Sequence, residues 1–305
     1  MEFVTGNLKQ LYKKYLFASL FGAVVTSVYS FIDAIAIGQS VGPTGSAAMA
    51  IITPMYSITM FLSIICGIGG SVLMTNAKAA NEEEKGNAYF SASFVLLLSV
   101  AALSWLIFAL FNKSLFTFFG ADAELMPTVI QYARWIIAFF PMFIAITYLG
   151  AVVRNDGNPN LVMIAMIIGG CINAFGDWFL CFPMDLGMDG AAIATVTGTT
   201  TQVLIMASHF FSKKCHVRFV KPFDLVKAFR KIISIGFGTG IIDLGTVILS
   251  ILINNQIMKY GSTAALAIYG VIVTIASLLQ SLFSGVGQAI QPLVSANYGA
   301  GKRLC

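Results

Sequence analysis

Eight apolar stretches, each long enough to cross a lipid bilayer, dominate this chain: 15–39, 46–76, 89–111, 127–153, 160–183, 189–211, 232–258 and 263–290. A hydrocarbon core about 30 Å thick needs roughly 20 apolar residues in a helix. Breakers separate the stretches, including Gly42-Pro43, Gly86-Asn87, Gly157-Asn158-Pro159 and Gly187. Strands are excluded, because a membrane barrel is built from segments of about 10 residues with alternating polarity, and these runs are continuously apolar. The expected fold is therefore an all-α polytopic bundle. Composition agrees: 58% of the 305 residues are hydrophobic and 10% are charged, against about 25% charged in a soluble domain. The first stretch is too long for a cleavable signal peptide and lacks a small-residue cleavage pattern.

The net charge of +5 is explained by topology. With the N-terminus in the cytoplasm, Lys9, Lys13, Lys14, Lys78, Lys85, Arg154, Lys213, Lys214, Arg218, Lys221, Lys227, Arg230, Lys231, Lys302 and Arg303 all fall on the cytoplasmic side. The outer loops hold Lys113 and Lys259. Fifteen against two is a strong positive-inside bias. The basic residues are thus expected to meet anionic lipid, with no nucleic-acid partner.

A basic loop at 212–231 follows six spans and reads as a linker. Gly45-Ser46-Ala47-Ala48-Met49-Ala50-Ile51 resembles Gly261-Ser262-Thr263-Ala264-Ala265-Leu266-Ala267-Ile268, and Gly67-Ile68-Gly69-Gly70 resembles Ser284-Gly285-Val286-Gly287. Spans seven and eight thus restate spans one and two. An even number of spans lies between the copies, so the repeat is parallel, an arrangement found in transporters. The expected organisation is a six-helix lobe over 1–211, a linker over 212–231 and, over 232–305, the first two helices of a second lobe. On that reading the chain is a C-terminally truncated part of a protein of about twelve spans.

Three carboxylates, Asp33, Asp177 and Asp243, lie inside apolar spans. A charge at membrane depth costs a few kcal/mol or more, so such residues usually face the bundle interior and have a function. Asp33 and Asp177 each precede the outer end of a span by six residues, and Thr195 follows an outer start by six. At 1.5 Å per residue all three lie about 9 Å deep. Asn173 shares a helix face with Asp177, and Ala191 with Thr195, through i, i+4 spacing. Ala191 is expected to offer a carbonyl where the helix loosens near Gly190. Oxygen ligands of this kind suit a hard cation such as Na+. Two adjacent carboxylates also suit a proton, because they cannot both ionise cheaply. Asp243 lies deeper; it either attracts a cationic substrate, forms a second proton site, or hydrogen-bonds Thr239 or Thr246.

Other residues read more plainly. The cysteines Cys66, Cys171, Cys181, Cys215 and Cys305 show no metal-ligand spacing and are expected to act as small core hydrophobes. His209 and His216 are expected to be solvated, Glu82-Glu83-Glu84 to be an exposed helix start, and Arg134 to snorkel outward. Glycines 67, 69, 70, 285 and 287 are expected to allow close helix packing. No nucleophile–base pair, zinc motif or phosphate loop points to an enzyme, and no cofactor is expected beyond the coupling ion.

Several segments resemble the multidrug and toxic compound extrusion (MATE) family. They are Ser30-Phe-Ile-Asp33-Ala-Ile-Ala-Ile-Gly38, Asn173-Ala-Phe-Gly-Asp177, Gly190-Ala191-Ala-Ile-Ala-Thr195 and Pro292-Leu-Val-Ser-Ala-Asn297-Tyr-Gly299-Ala. The resemblance runs across the whole chain. It implies two six-helix lobes, alternating access, and export of cationic amphiphilic compounds from a plasma-membrane monomer, driven by Na+ or H+ entry. It also implies that Asp33, Asn173, Asp177 and Thr195 form the cation site of the first lobe, with Tyr29 and Met166 lining the adjoining drug cavity. The alternatives are a lipid-linked oligosaccharide flippase of the same superfamily, disfavoured by the acidic candidates, and a membrane fragment without transport activity.

Overall fold

The computed structural model describes residues 6–221 and 224–302; Arg303 and Cys305 lie outside the described residues. Nine α-helices and no strands are found among them: α1 (Leu8–Ser40), α2 (Pro43–Ala79), α3 (Glu83–Phe118), α4 (Met126–Ala138), α5 (Phe140–Asn155), α6 (Pro159–Cys181), α7 (Gly187–Ala207), α8 (Leu225–Tyr260) and α9 (Thr263–Gly299). A single 3₁₀ turn, Ser208–Phe211, follows α7. Seven helices are long and apolar enough to cross a membrane, and α4 with α5 makes an eighth, broken span.

Local signals set the helix ends. Proline stands in the first turn of α2, α4, α5 and α6, where its missing N–H is not needed. The side chains of Asn7, Asp224 and Ser262 accept hydrogen bonds from the first backbone N–H groups of α1, α8 and α9, as N-caps do. The fourth span departs from the expected single helix: α4 and α5 meet at a bend of 58°. Phe139 leaves the helical region there (φ −109°, ψ 19°), and Pro141, which has no N–H to donate, follows two residues later.

Alternating helices bring the expected cytoplasmic ends together. Lys78, Asp156, His209 and His216 meet at one end of the bundle, here called the basic end, while Arg134 and Asp189 pair at the other. Large apolar side chains such as Phe17, Leu103, Trp105, Leu110, Phe175 and Leu204 are exposed on the outside of the helices, as a lipid-facing surface requires. Inside, Ile51, Met55, Phe90, Phe140, Ile144 and Tyr148 are fully or almost fully buried and belong to one core.

Small residues set the tightest helix pairs. A Cβ on Gly198 would come within 2.7 Å of the Gly169 carbonyl and 2.9 Å of Asn173 Cβ, and a Cβ on Gly176 within 2.9 Å of Ala194. The close α6–α7 contact these glycines allow is what places Asn173 beside Thr195. The α8 helix packs along α2 and α9 along both α1 and α2, while α8 and α9 barely touch each other. The same is true of α1 and α2, which meet little directly. Asn254 on α8 donates to the Ala50 carbonyl of α2 at 2.9 Å, and the Ser27 and Ser281 hydroxyls are bonded across α1 and α9. Of the repeated glycines, Gly67, Gly69, Gly70 and Gly285 abut neighbouring helices, whereas Gly287 faces open space.

Candidate functional site

Asp33 comes from α1, Asn173 and Asp177 from α6, and Thr195 from α7. The structure brings all four together near the end of the bundle away from the basic end. Asp177 is wholly buried and Asn173 is 2% exposed. The Asp33 and Asp177 carboxyls lie within hydrogen-bonding reach of each other, and Asp33 is also within reach of Thr195. Asn173 Nδ2 donates to Thr195 Oγ1 at 3.3 Å.

Two tyrosines that sequence reasoning did not single out complete the cluster. Tyr132 on α4 donates its hydroxyl to Thr195 Oγ1 at 3.4 Å, and Tyr56 on α2 lies 3.1 Å from the Tyr132 hydroxyl. Because Tyr132 spends its proton on Thr195, Tyr56 must donate to Tyr132. Thr195 already accepts twice, so its own proton is free for Asp33. The direction of each bond along Tyr56, Tyr132 and Thr195 therefore follows from donor counting. The depth bookkeeping that found Asp33 could have found Tyr132, about two turns into its helix.

The acceptor side of the cluster is unsatisfied. Asp33 Oδ1, Asn173 Oδ1 and both carboxylate oxygens of Asp177 are occluded and have no hydrogen-bond donor among the described residues. Such groups are rare in native interiors, and each calls for a reason. Four acceptor oxygens on two helices, with no cationic side chain bonded to them among the described residues, form an acceptor set suited to one small cation or one proton.

The remaining candidates are placed as follows. Ala191 is fully buried, but α7 runs unbroken through Gly190 and Ala191, so the loosening expected there is not found and its carbonyl stays in the helical ladder. Tyr29 is half-buried between Gly170 of α6 and the Gln202 side chain. The sulfur of half-buried Met166 presses on Gly22 of α1. Asp243 is half-buried on α8, a helix that contributes none of the cluster residues. The hydroxyls of Thr239 and Thr246 donate to the Ile235 and Ile242 carbonyls rather than to Asp243. Arg134 does reach outward, but it ends on Asp189, which also accepts from Trp135 Nε1 at 2.6 Å and Gln131 Nε2 at 2.9 Å.

At the basic end, His209 corrects the sequence expectation. It is fully buried rather than solvated, and its Nε2 lies 2.8 Å from Asp156 Oδ2. The same oxygen accepts the His216 backbone N–H at 2.8 Å. Arg218 N–H donates to Asn87 Oδ1 and Val220 N–H to Ser91 Oγ. The first part of the linker is thus strapped to the first bundle. The His209–Asp156 pairing spans 53 residues, which sequence spacing cannot reveal. Burial raises the Cys215 thiol above its ordinary value, so it is neutral near pH 7.

This geometry now meets the comparisons. A family model, MatE, matches residues 18–179, more than half of the chain. The chain belongs to the MATE family. Its sequence is 22% identical over 289 residues to the multidrug export protein MepA of Staphylococcus saprophyticus, and 21% identical over 287 residues to MepA of Staphylococcus aureus. Each alignment covers 93% of this chain and 63% of the relative, so this MATE chain spans less than two thirds of the curated relatives' length. These relatives are export proteins rather than enzymes. The MATE multidrug transporter DinF-BH, solved in complex with R6G, superposes with a TM-score of 0.89 at 23% identity, over 97% of this chain and 67% of that one. A MOP-superfamily transporter from Pyrococcus furiosus, described as having a binding pocket of reverse polarity that suggests a different function, superposes with a TM-score of 0.86 at 22% identity, over 99% and 67%. At such identities the structures establish the shared fold and nothing finer.

Proposed function

We propose that this MATE chain forms the cation-coupling lobe of an exporter of cationic amphiphilic compounds. Residues 1–211 would be the first lobe and 232–305 part of the second, with the N-terminus in the cytoplasm and the protein in the plasma membrane as a monomer. The observation that carries the reading is the set of four buried, donorless oxygens on Asp33, Asn173 and Asp177. Hydrogen bonds for packing alone would leave no such surplus of acceptors.

The mechanism follows from charge. A proton or Na+ entering from the side opposite the basic end binds between Asp33 and Asp177, which ties α1 to α6. Cancelling one of the pair's charges lowers the penalty for burying it and favours a closer α1–α6–α7 arrangement. The seam that holds Tyr29 and Met166 then narrows and the drug leaves. The ion shifts the equilibrium only by its differential affinity for the two states.

Export of a fluorescent cationic dye tests this, with the complete gene expressed in a host lacking its own efflux pumps. Asp33→Asn and Asp177→Asn are each expected to reduce export to background. Wild-type rates in either variant sink the proposal. Varying Na+ at fixed pH then separates sodium from proton coupling.

A further inference from the structure

Outside the carboxylate cluster, a group of three metal-ligating side chains lies at the basic end. Asp156 comes from the turn between α5 and α6, His209 from the 3₁₀ turn and Cys215 from the linker. One ligand atom from each lies within 4.8 Å of the others. We propose that Asp156, His209 and Cys215 bind a divalent metal of the zinc class, which clamps the linker to the first bundle.

The donor set selects the metal. A carboxylate oxygen, an imidazole nitrogen and a thiolate sulfur match the usual zinc ligands, and soft sulfur disfavours Mg2+ and Ca2+. The nearby Lys78 ammonium, 3.9 Å from Asp156 Oδ1, repels any divalent cation alike, and it is the thiolate bond, gained by zinc and not by a hard cation, that offsets this charge. Lys78 itself is held aside by its hydrogen bond to the His216 carbonyl at 2.6 Å.

Preorganisation is visible in the buried pair. Asp156 and His209 have side-chain exposures of 3% and 0%, so their positions are fixed by packing. A fourth ligand is at hand in His216: its Nδ1 is 3.8 Å from Asp156 Oδ1 and its ring is 72% exposed, free to swing. Asp156 lies 53 and 59 positions before His209 and Cys215, which is why no metal motif shows in the sequence.

On binding, the Cys215 thiol proton leaves to water. A metal at His209 Nε2 requires the imidazole proton on Nδ1. Asn158 Nδ2 lies 3.4 Å from that Nδ1; rotating its amide presents the oxygen as an acceptor and fixes the metal-binding tautomer.

Cobalt(II) substitution tests the proposal on the full chain, purified in detergent without a polyhistidine tag and stripped with chelator. The expected result is one cobalt per chain and a thiolate-to-cobalt charge-transfer band, both displaced by Zn2+. Cys215→Ser, a near-isosteric change at a half-buried position, should lose the band and weaken Zn2+ binding by about 100-fold or more, at or beyond the range for disturbing a metal's outer shell. Absence of the band in the folded wild type overturns the proposal, and so does a band that survives in Cys215→Ser.

Discussion

Asn173 and Thr195 face each other across the α6–α7 contact, with the amide nitrogen donating to the hydroxyl oxygen at 3.3 Å. That single bond orients the amide. With Nδ2 committed to Thr195, Oδ1 is left among the unpaired acceptors, so α7 controls which way Asn173 presents itself to the carboxylates. Thr195→Val keeps the shape and removes the hydroxyl. It strands the Asn173 and Tyr132 donors and takes from Asp33 a donor within its reach. The expected outcome is a loss of about 1–3 kcal/mol of stability together with severe loss of dye export, while Thr195→Ser retains most of both. Thermal unfolding in detergent and export in cells measure the two effects, and equal behaviour of the two variants would show that the hydroxyl makes no difference.

Asp177→Asn separates stability from function. The native carboxylate is buried with neither oxygen paired to a donor among the described residues. An amide in its place carries no charge and brings two N–H donors, of which Asp33 can accept at least one. Relief of an unsatisfied buried acceptor is worth about 1–3 kcal/mol. The variant should therefore unfold at a higher temperature than wild type while losing export. A lower unfolding temperature would mean that the carboxylate is there to hold the helices together.

The sequence makes the spans plain because lipid exposure demands long uninterrupted apolar runs, and that demand is local. Asp33, Asn173, Asp177 and Thr195 are legible for a related reason: a polar group in such a run stands out, and helix rise converts its position into depth. Legibility ends where partners are distant or the signal is ambiguous. Tyr56 and Tyr132 read as ordinary apolar-bodied residues, since a phenol can sit in a span without a partner being evident. His209 reads as a loop residue because Asp156, which buries it, is far along the chain. The 58° bend was signalled by Pro141, but a proline can end, kink or begin a helix, and only packing decides among these.

Gly236 is a position where the α2–α8 contact is easily broken. A Cβ there would overlap the Cα and carbonyl of Ile65 on α2, and one on Gly69 would overlap the Ile232 carbonyl. Backbone atoms cannot rotate out of the way. Gly236→Ala gains up to about 1 kcal/mol in helix propensity but faces an overpacking cost of about 1–3 kcal/mol, so the net effect should be destabilising. Gly238, two residues on, has nothing within 4 Å of a Cβ. Gly238→Ala should be neutral or mildly stabilising. Unfolding temperatures of the two variants settle the comparison, and an undisturbed Gly236→Ala would show that the helices meet less closely than described.

Asp156 makes three contacts at the root of the linker. Its Oδ2 accepts from His209 Nε2 and from the His216 N–H, and its charge faces the buried Lys78 ammonium. Asp156→Ala removes all three at once. Lys78, whose side chain is 5% exposed, loses its counterion, and breaking a buried pair from one side costs about 3–5 kcal/mol. The cheapest response is local: the linker lifts away so that water reaches Lys78 and His209. Lys213, Lys214 and Arg218 already have exposed side chains, so trypsin is held off by the fixed backbone rather than by burial. Cleavage of a protected segment follows the population of its open form. In the presence of chelator, Asp156→Ala should be cut at these residues about tenfold faster or more than wild type, with the membrane helices still protected. Equal cutting rates would show that the Asn87 and Ser91 bonds to Arg218 and Val220 suffice to hold the linker, and that the His209–Asp156 contact follows from packing and does not strap it.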